Sequence, residues 1–95
     1  MNDIVRFDFG EQRDRKGVEA DACLAIFVSE CIHGRPRTRL DVSYLVDAIG
    51  ERCVLAVEGE AGETALRVFT GLCGERFGDH GFRVERLETP ARRSR

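Results

Sequence analysis

The chain has 95 residues, 17 of them acidic and 15 basic, and a formal net charge of −2. This length suits one domain, and a hydrophobic fraction of 42% argues against a disordered chain. No apolar run approaches the roughly 18 residues of a membrane span, and the polar N-terminus is unlike a signal peptide. We therefore expect a cytoplasmic protein with no membrane contact, comprising a folded domain over residues 1–89 and a basic disordered tail over residues 90–95.

The first predicted elements are a strand and a helix. Residues 3–9 alternate between apolar and polar side chains, which indicates a half-buried strand. Residues 18–33 follow a helical period, and Gly34 and Pro36 end this helix. Residues 22–32 also suit a strand, which would replace the βαββαβ order with a meander. The helix carries an apolar stripe that we expect to face the core, made of Ala20, Cys23, Leu24, Phe27 and Cys31.

Two strands and a turn are predicted next. Residues 37–45 alternate strictly, which favours a strand with Arg37, Arg39, Asp41 and Ser43 on one face. A glycine-containing turn over residues 47–51 leads to the nearly continuous apolar run of residues 53–58, which is typical of a central strand. The two strands should therefore form a hairpin.

A second helix and a last strand complete the chain. Residues 63–77 place Leu66, Phe69, Cys73 and Phe77 at helical spacing, and residues 82–87 alternate again. The resulting order, βαββαβ, predicts a ferredoxin-like two-layer sandwich: a four-stranded antiparallel sheet, with the first and third strands central, and two helices on one face. The other face should be open and charged, carrying Arg6, Asp8, Arg37, Arg39, Asp41, Arg83 and Glu85.

The four cysteines do not form a metal-binding pattern. Cys23, Cys31, Cys53 and Cys73 lack the spacing of two to four residues that local zinc knuckles use. Each lies in an apolar run, so we expect four buried free thiols and neither a metal nor a cofactor. The predicted third strand has no aromatic side chain on which a base could stack, which argues against nucleic acid as a partner.

Two short resemblances offer a small-molecule alternative. Residues 14–18, Asp-Arg-Lys-Gly-Val, are similar to the stretch that opens the first helix of ACT domains, which bind amino acids between paired domains. Residues 32–36 resemble the phosphorylated-histidine motif of the HPr phosphocarrier family. That histidine would lie at the C-terminal end of a helix, where the dipole disfavours phosphate. Together they mark Asp14, Gly17, His33 and Arg35 as candidate ligand-binding residues.

No constellation of catalytic residues is evident, so the expected function is not enzymatic. Exposed edge strands and an open sheet face favour contact with another protein or with a second copy. We therefore predict a protein-interaction or regulatory module, homodimeric through its sheet, with partner contacts at Arg37, Arg39, Asp41 and Ser43. The alternatives are an ACT-type ligand sensor and a phosphoryl-transfer protein that uses His33.

Overall fold

The computed structural model describes residues 3–87 of the chain. The predicted tail and both ends of the predicted domain lie outside these residues. The elements in chain order are β1 (Asp3–Asp8), a 3₁₀ turn (Gly10–Gln12), α1 (Arg15–His33), α2 (Arg35–Asp41), β2 (Val42–Val46), β3 (Arg52–Val57), α3 (Gly59–Phe77) and β4 (Arg83–Leu87). Within this part of the chain no helix is both long and apolar enough to cross a membrane.

The four strands form one antiparallel sheet in the order β2-β3-β1-β4. Strands β1 and β3 are central, and β2 and β4 are the edges, as the sequence predicts. Val5 lies opposite Leu55, and Phe7 lies opposite Cys53. Because directly paired residues share a face of the sheet, these four buried side chains define its covered face.

A single hydrophobic core lies between this face and the long helices. Phe7 and Phe69 meet edge to face, with ring centroids 4.7 Å apart. The buried cluster joins inward side chains of β1, β2 and β3 to those of α1 and α3. Both long helices therefore cover the same face, and no helix of residues 3–87 lies against the opposite one. The prediction of an α+β domain with a four-stranded antiparallel sheet is confirmed, and the described residues contain three α-helices where two were predicted.

The predicted strand over residues 37–45 is wrong in its first half. Residues Arg35–Asp41 form α2, and the strand begins only at Val42. Pro36 lies in the first turn of this helix, where its missing N–H is not needed and its fixed φ is favourable. Gly34, at φ +93°, ends α1 and precedes α2. Gly34 thus ends one helix and Pro36 favours the start of the next, and the alternating charges around Pro36 belong to that second helix.

The predicted orientation of α1 is also wrong. The stripe of Ala20, Cys23, Leu24, Phe27 and Cys31, called here the outer stripe, is exposed to solvent. The buried face consists instead of Gly17, Val18, Asp21, Ala22, Ala25 and Ser29. These side chains are small, apart from Val18 and Asp21, and small side chains let α1 approach the sheet and α3 closely. Close packing therefore outweighs the greater hydrophobicity of the outer stripe.

The third helix matches its predicted stripe but begins earlier. Leu66, Phe69 and Cys73 are buried, as the helical spacing predicts. The helix starts at Gly59 instead of Glu63. Near its start, a Cβ on Gly62 would lie 2.9 Å from Cβ of Val57, so the absence of a side chain allows α3 to pass directly over β3.

Candidate interaction surfaces

The uncovered side of the sheet is the first candidate surface. It is called here the open face, and its side chains form three rows across the strands. One row runs through Ser43, Ala56, Ile4 and Leu87; the next through Leu45, Val54, Arg6 and Glu85; and the third through Arg52, Asp8 and Arg83. Leu45 is 72% exposed. The apolar members form a diagonal band from Leu45 at one sheet edge to Leu87 at the other.

Four of the five charged side chains in these rows form two pairs beside this band, and Arg83 is the fifth. Arg6 on β1 forms a salt bridge with Glu85 on β4. Arg52 on β3 approaches Asp8 on β1, with Nε and Oδ2 3.7 Å apart. Both pairs are solvent-accessible, so each adds little to stability. Pairing does lower the cost of bringing an apolar partner close to these charges, because neither pair presents an uncompensated ion.

The outer stripe of α1 is the second candidate surface. Phe27, at its middle, is 58% exposed, and Leu24 is 46% exposed. Cys23 and Cys31 are exposed free thiols, whereas Cys53 and Cys73 are buried free thiols. The prediction of four buried thiols is therefore wrong for the two on α1. Their exposure has the same cause as that of Phe27, since all three lie on the side of α1 that faces away from the core.

An ion pair between helices holds α1 in this orientation. Arg76 of α3 donates from Nε to Oδ2 of Asp21 at 2.8 Å and from Nη2 to Oδ1 at 3.1 Å. The hydrogen bonds to Asp21 raise the pKa of the Arg76 guanidinium. Asp14 accepts a hydrogen bond from the backbone N–H of Gly17 at 3.1 Å and so caps the start of α1. These contacts explain how a carboxylate occupies the buried side of the helix.

The titratable groups near the core are unsuited to nucleophilic chemistry. Burial raises the pKa of the Cys53 thiol to about 12. Burial likewise raises the pKa of the Cys73 thiol to about 12. The hydroxyl of Tyr44 lies 3.6 Å from Sγ of Cys23, and this hydrogen bond, followed by burial, raises the pKa of Tyr44 to about 12. A thiol reacts as its thiolate, so Cys53 and Cys73 are inert near neutral pH.

The predicted partner-binding residues do not share a strand face. Arg37, Arg39 and Asp41 lie on α2, and only Ser43 belongs to β2. Arg39 approaches Glu30 of α1, with Nε and Oε2 3.8 Å apart. Ser43 is part of the open face, in the row that contains Ala56. Of the charged residues predicted on the open face, Arg6, Asp8, Arg83 and Glu85 do lie there, and the three on α2 do not.

The candidate ligand-binding residues fall into two separate groups. Asp14 and Gly17 lie at the N-terminal end of α1, whereas His33 and Arg35 lie at its C-terminal end. A helix of 19 residues separates the ends by about 28 Å. A Cβ on Gly17 would lie 2.6 Å from Nη1 of Arg76, so this glycine makes room for the interhelical ion pair. The four residues do not form one site within a single chain.

His33 lies in a cleft at the start of α3. Its Nε2 is 2.8 Å from the hydroxyl of Thr64. Its side chain borders two cavities, one of about 450 Å³ and one of about 280 Å³ that Arg37 also lines. Glu60 and Glu63 border the larger cavity. The acidic side chains at this helix N-terminus would repel a phosphoryl group.

Sequence reasoning missed the residues that make the open face apolar. Leu45 and Val54 lie side by side on β2 and β3. The signal for them is the alternation itself, because Leu45 lies two residues after Ser43 and therefore on the same face of the strand. Among residues 3–87, no group of three His, Cys, Asp or Glu side chains is arranged to hold a metal ion.

No protein-family model matches this chain, and comparison with curated proteins finds no match either. Its function is therefore inferred from its own surfaces.

Proposed function

We propose that this domain is a non-enzymatic protein-interaction module that self-associates through the open face of its sheet. The observation that carries the proposal is the diagonal apolar band from Leu45 to Leu87, which no element of residues 3–87 covers. Contiguous apolar surface of this kind marks protein-protein contact in folded domains.

A second copy of the chain is the partner that best fits this face. A two-fold axis through the band would stack the band of one copy on that of the other, so that Leu45, Val54 and Ile4 are buried in both. The salt-bridged charges, Arg6 with Glu85 and Arg52 with Asp8, would then lie at the rim of the contact. An apolar centre with a polar rim is the usual anatomy of an interface, and a two-fold contact uses the same patch twice.

We also infer that the fold is a ferredoxin-like variant. The central positions of β1 and β3 and the placement of α1 and α3 on one side of the sheet support this inference. Helix α2 is an insertion between the first long helix and the second strand. Its buried Thr38 lies 3.3 Å from the hydroxyl of Ser29 on α1, so the insertion packs against the helical layer and leaves the open face uncovered.

The ligand-sensing alternative has less support. In an ACT-type arrangement Asp14 and Gly17 would contribute to a ligand site, but here Asp14 caps α1 and Gly17 accommodates Arg76. The phosphoryl-transfer alternative requires a free imidazole facing an anion, whereas His33 contacts Thr64 beside two glutamates. The interaction module does not depend on either arrangement.

The test is light scattering coupled to size-exclusion chromatography over a range of protein concentrations. Leu45→Glu places a charge in the apolar band and should raise the dissociation constant of the sheet contact at least tenfold. Ile49→Glu is the matched control, since Ile49 is also exposed but lies in the β2–β3 turn. A wild-type protein that remains monomeric, or a Leu45→Glu variant that associates as the wild type does, would refute the proposal.

A further inference from the structure

Several residues along the outer side of α1 are arranged symmetrically about Phe27. Cys23 lies four residues before Phe27 and Cys31 four residues after it. Ala20 and Gly34 lie seven residues away on the two sides, and both are small. At eight residues the pair is charged, with Glu19 on one side and Arg35 on the other. The correspondence fails three residues from Phe27, where Leu24 on one side is matched by Glu30 on the other. At the other positions named, the surface is the same from either end, apart from the sign of the charge.

We propose that α1 docks against α1 of a second copy in an antiparallel pair, with a two-fold axis through Phe27. In a two-fold contact, residue i of one copy meets residue j of the other, and j meets i. An axis at Phe27 stacks the two Phe27 rings and sets Cys23 of each copy opposite Cys31 of the other. The small residues Ala20 and Gly34 also face each other, which allows the helices to approach closely.

Charge complementarity selects a second copy as the occupant. The antiparallel arrangement brings Glu19 of each copy near Arg35 of the other, just beyond the end of α1, giving two opposite-charge pairs across the axis. Both side chains are accessible for this contact, 41% and 69% exposed. Within one chain Glu19 lies 3.6 Å from Arg15, and Arg35 lies 3.8 Å from Glu30.

Like charges oppose the arrangement at the ends of the contact. Arg15, at the start of α1, would approach the α2 segment of the other copy, which carries Arg39. Each of these arginines already has an acidic neighbour in its own chain, Glu19 for Arg15 and Glu30 for Arg39. The repulsion is therefore partly neutralised, and it acts where solvent screens it most.

This contact is distinct from the one proposed for the open face. The two surfaces lie on opposite layers of the domain, so one copy can use both at once. Two two-fold contacts on opposite sides would link copies into a row in which sheet-to-sheet and helix-to-helix contacts alternate. The single helix, about 28 Å long, offers less area than the roughly 800 Å² per partner of a standard interface, so we expect the helix contact to be the weaker one.

The cysteine positions supply a specific test. Cys23 of each copy lies opposite Cys31 of the other across the axis. A short, rigid bis-maleimide should therefore not cross-link the Cys23→Ser variant alone or the Cys31→Ser variant alone into dimers. In either single variant the remaining thiols are about 12 Å apart along the helix axis. An equimolar mixture of the two variants should form a cross-linked dimer, because Cys31 of one then meets Cys23 of the other. The buried Cys53 and Cys73 stay out of reach.

The outcomes of this experiment separate the possibilities. Cross-linking of the mixture well above that of either variant alone supports the antiparallel pair. Equal cross-linking in all three samples, or none in the mixture, overturns it. Adding Phe27→Glu to both variants should abolish the dimer band, whereas Val84→Glu, at an exposed position on β4, should leave it unchanged.

A further variant keeps this proposal separable from the proposed function. Leu45→Glu, added to both cysteine variants, removes the sheet contact and leaves α1 intact. Persistence of the cross-linked dimer shows that α1 pairs without the sheet, even where the sheet proposal itself has failed. Loss of the band shows that α1 alone does not bring the thiols of two copies together, which overturns the proposal.

Discussion

Arg76 and Asp21 join α3 to α1 through two parallel hydrogen bonds, of 2.8 and 3.1 Å, across 55 positions of sequence. The Asp21 side chain is only 8% exposed, whereas that of Arg76 is 36% exposed. A second acid, Asp14, lies 3.4 Å from Nη1 of the same guanidinium. Among the residues of α1, Asp21 is the only carboxylate on the buried side, and this pair compensates its charge.

Removing the arginine should destabilise the domain more than an ordinary surface substitution does. Arg76→Ala leaves Asp21 buried without its partner, and we expect a loss of about 2 kcal/mol in the free energy of unfolding, below the range for fully buried pairs because water reaches Arg76. Arg67→Ala is the control on the same helix, since the Arg67 side chain is 82% exposed and 3.8 Å from Glu63. Urea denaturation measures the free energy of unfolding of both variants. An equal loss for Arg76→Ala and Arg67→Ala would show that the contact with Asp21 is dispensable.

Two glycines of α3 should respond oppositely to the same substitution. Gly62→Ala places a methyl group 2.9 Å from Cβ and 3.0 Å from the carbonyl carbon of Val57, and we expect a loss of about 1–3 kcal/mol from the overpacking. A Cβ on Gly71 would meet no neighbouring atom within 4 Å, so Gly71→Ala should raise stability by about 0.5–1 kcal/mol through helix propensity. Thermal unfolding of both variants should show a lower melting temperature for Gly62→Ala and a higher one for Gly71→Ala than for the wild type.

The hydroxyl of Ser29 links three helices and should be needed for stability. Its Oγ donates to the carbonyl oxygen of Ala61 on α3 at 2.8 Å and lies 3.3 Å from Oγ1 of Thr38 on α2. Ser29→Ala leaves these buried groups without their partner, at an expected cost of about 1–3 kcal/mol. Ser43→Ala, on the exposed open face, should change stability by less than about 0.5 kcal/mol. Chemical denaturation measures the free energy of unfolding of the two variants. A similar loss for Ser29→Ala and Ser43→Ala would contradict the prediction.

The domain should lose stability as the pH rises above 9. The Cys53 and Cys73 thiols have an ordinary pKa of 9.0, which burial raises to about 12 in the folded protein. Between these values the unfolded chain releases protons that the folded chain retains, so the free energy of unfolding falls as pH rises. The contribution of the two thiols is complete below pH 9 and is lost as the pH rises toward about 12.

The double variant Cys53→Ala, Cys73→Ala isolates this effect. It should be less stable than the wild type near neutral pH, because two core side chains are shortened. Its free energy of unfolding should nevertheless decline less steeply between the two pKa values, about 9 and about 12. Denaturation curves collected across that range give the slope of the free energy of unfolding against pH for the wild type and for the double variant. Equal slopes would show that ionisation of the two thiols is not coupled to unfolding.

The chain's local patterns are sufficient to predict most of its elements. Alternation locates β1 and β4, helical spacing locates α1 and α3, and the apolar run of residues 53–58 marks the central strand β3. Side-chain periodicity is a local property, so these elements can be read without knowledge of what they pack against. The stripe of Leu66, Phe69 and Cys73 even predicts the buried face of α3.

Residues 35–41 show where a local pattern is ambiguous. Alternating charged and uncharged residues suit an edge strand, but a seven-residue helix that buries only Thr38 requires little periodicity of its own. Pro36 is the available signal, since proline in a first turn favours the start of a helix as much as the end of the previous one. Ser29 then stabilises this helix through a contact that no local pattern reveals.

Most helical and extended segments of this chain follow from its amino-acid order alone, because backbone propensity and side-chain period act over a few residues. The side of α1 that is buried depends instead on tertiary packing. Its hydrophobic stripe favours one orientation, but Ala22, Ala25 and Ser29 allow closer packing in the other, and Arg76 compensates Asp21 there. Which side of α1 is buried therefore depends on the side-chain volumes and charges of segments that are distant in the sequence. The exposed Phe27 and the two exposed thiols of α1 are its consequence.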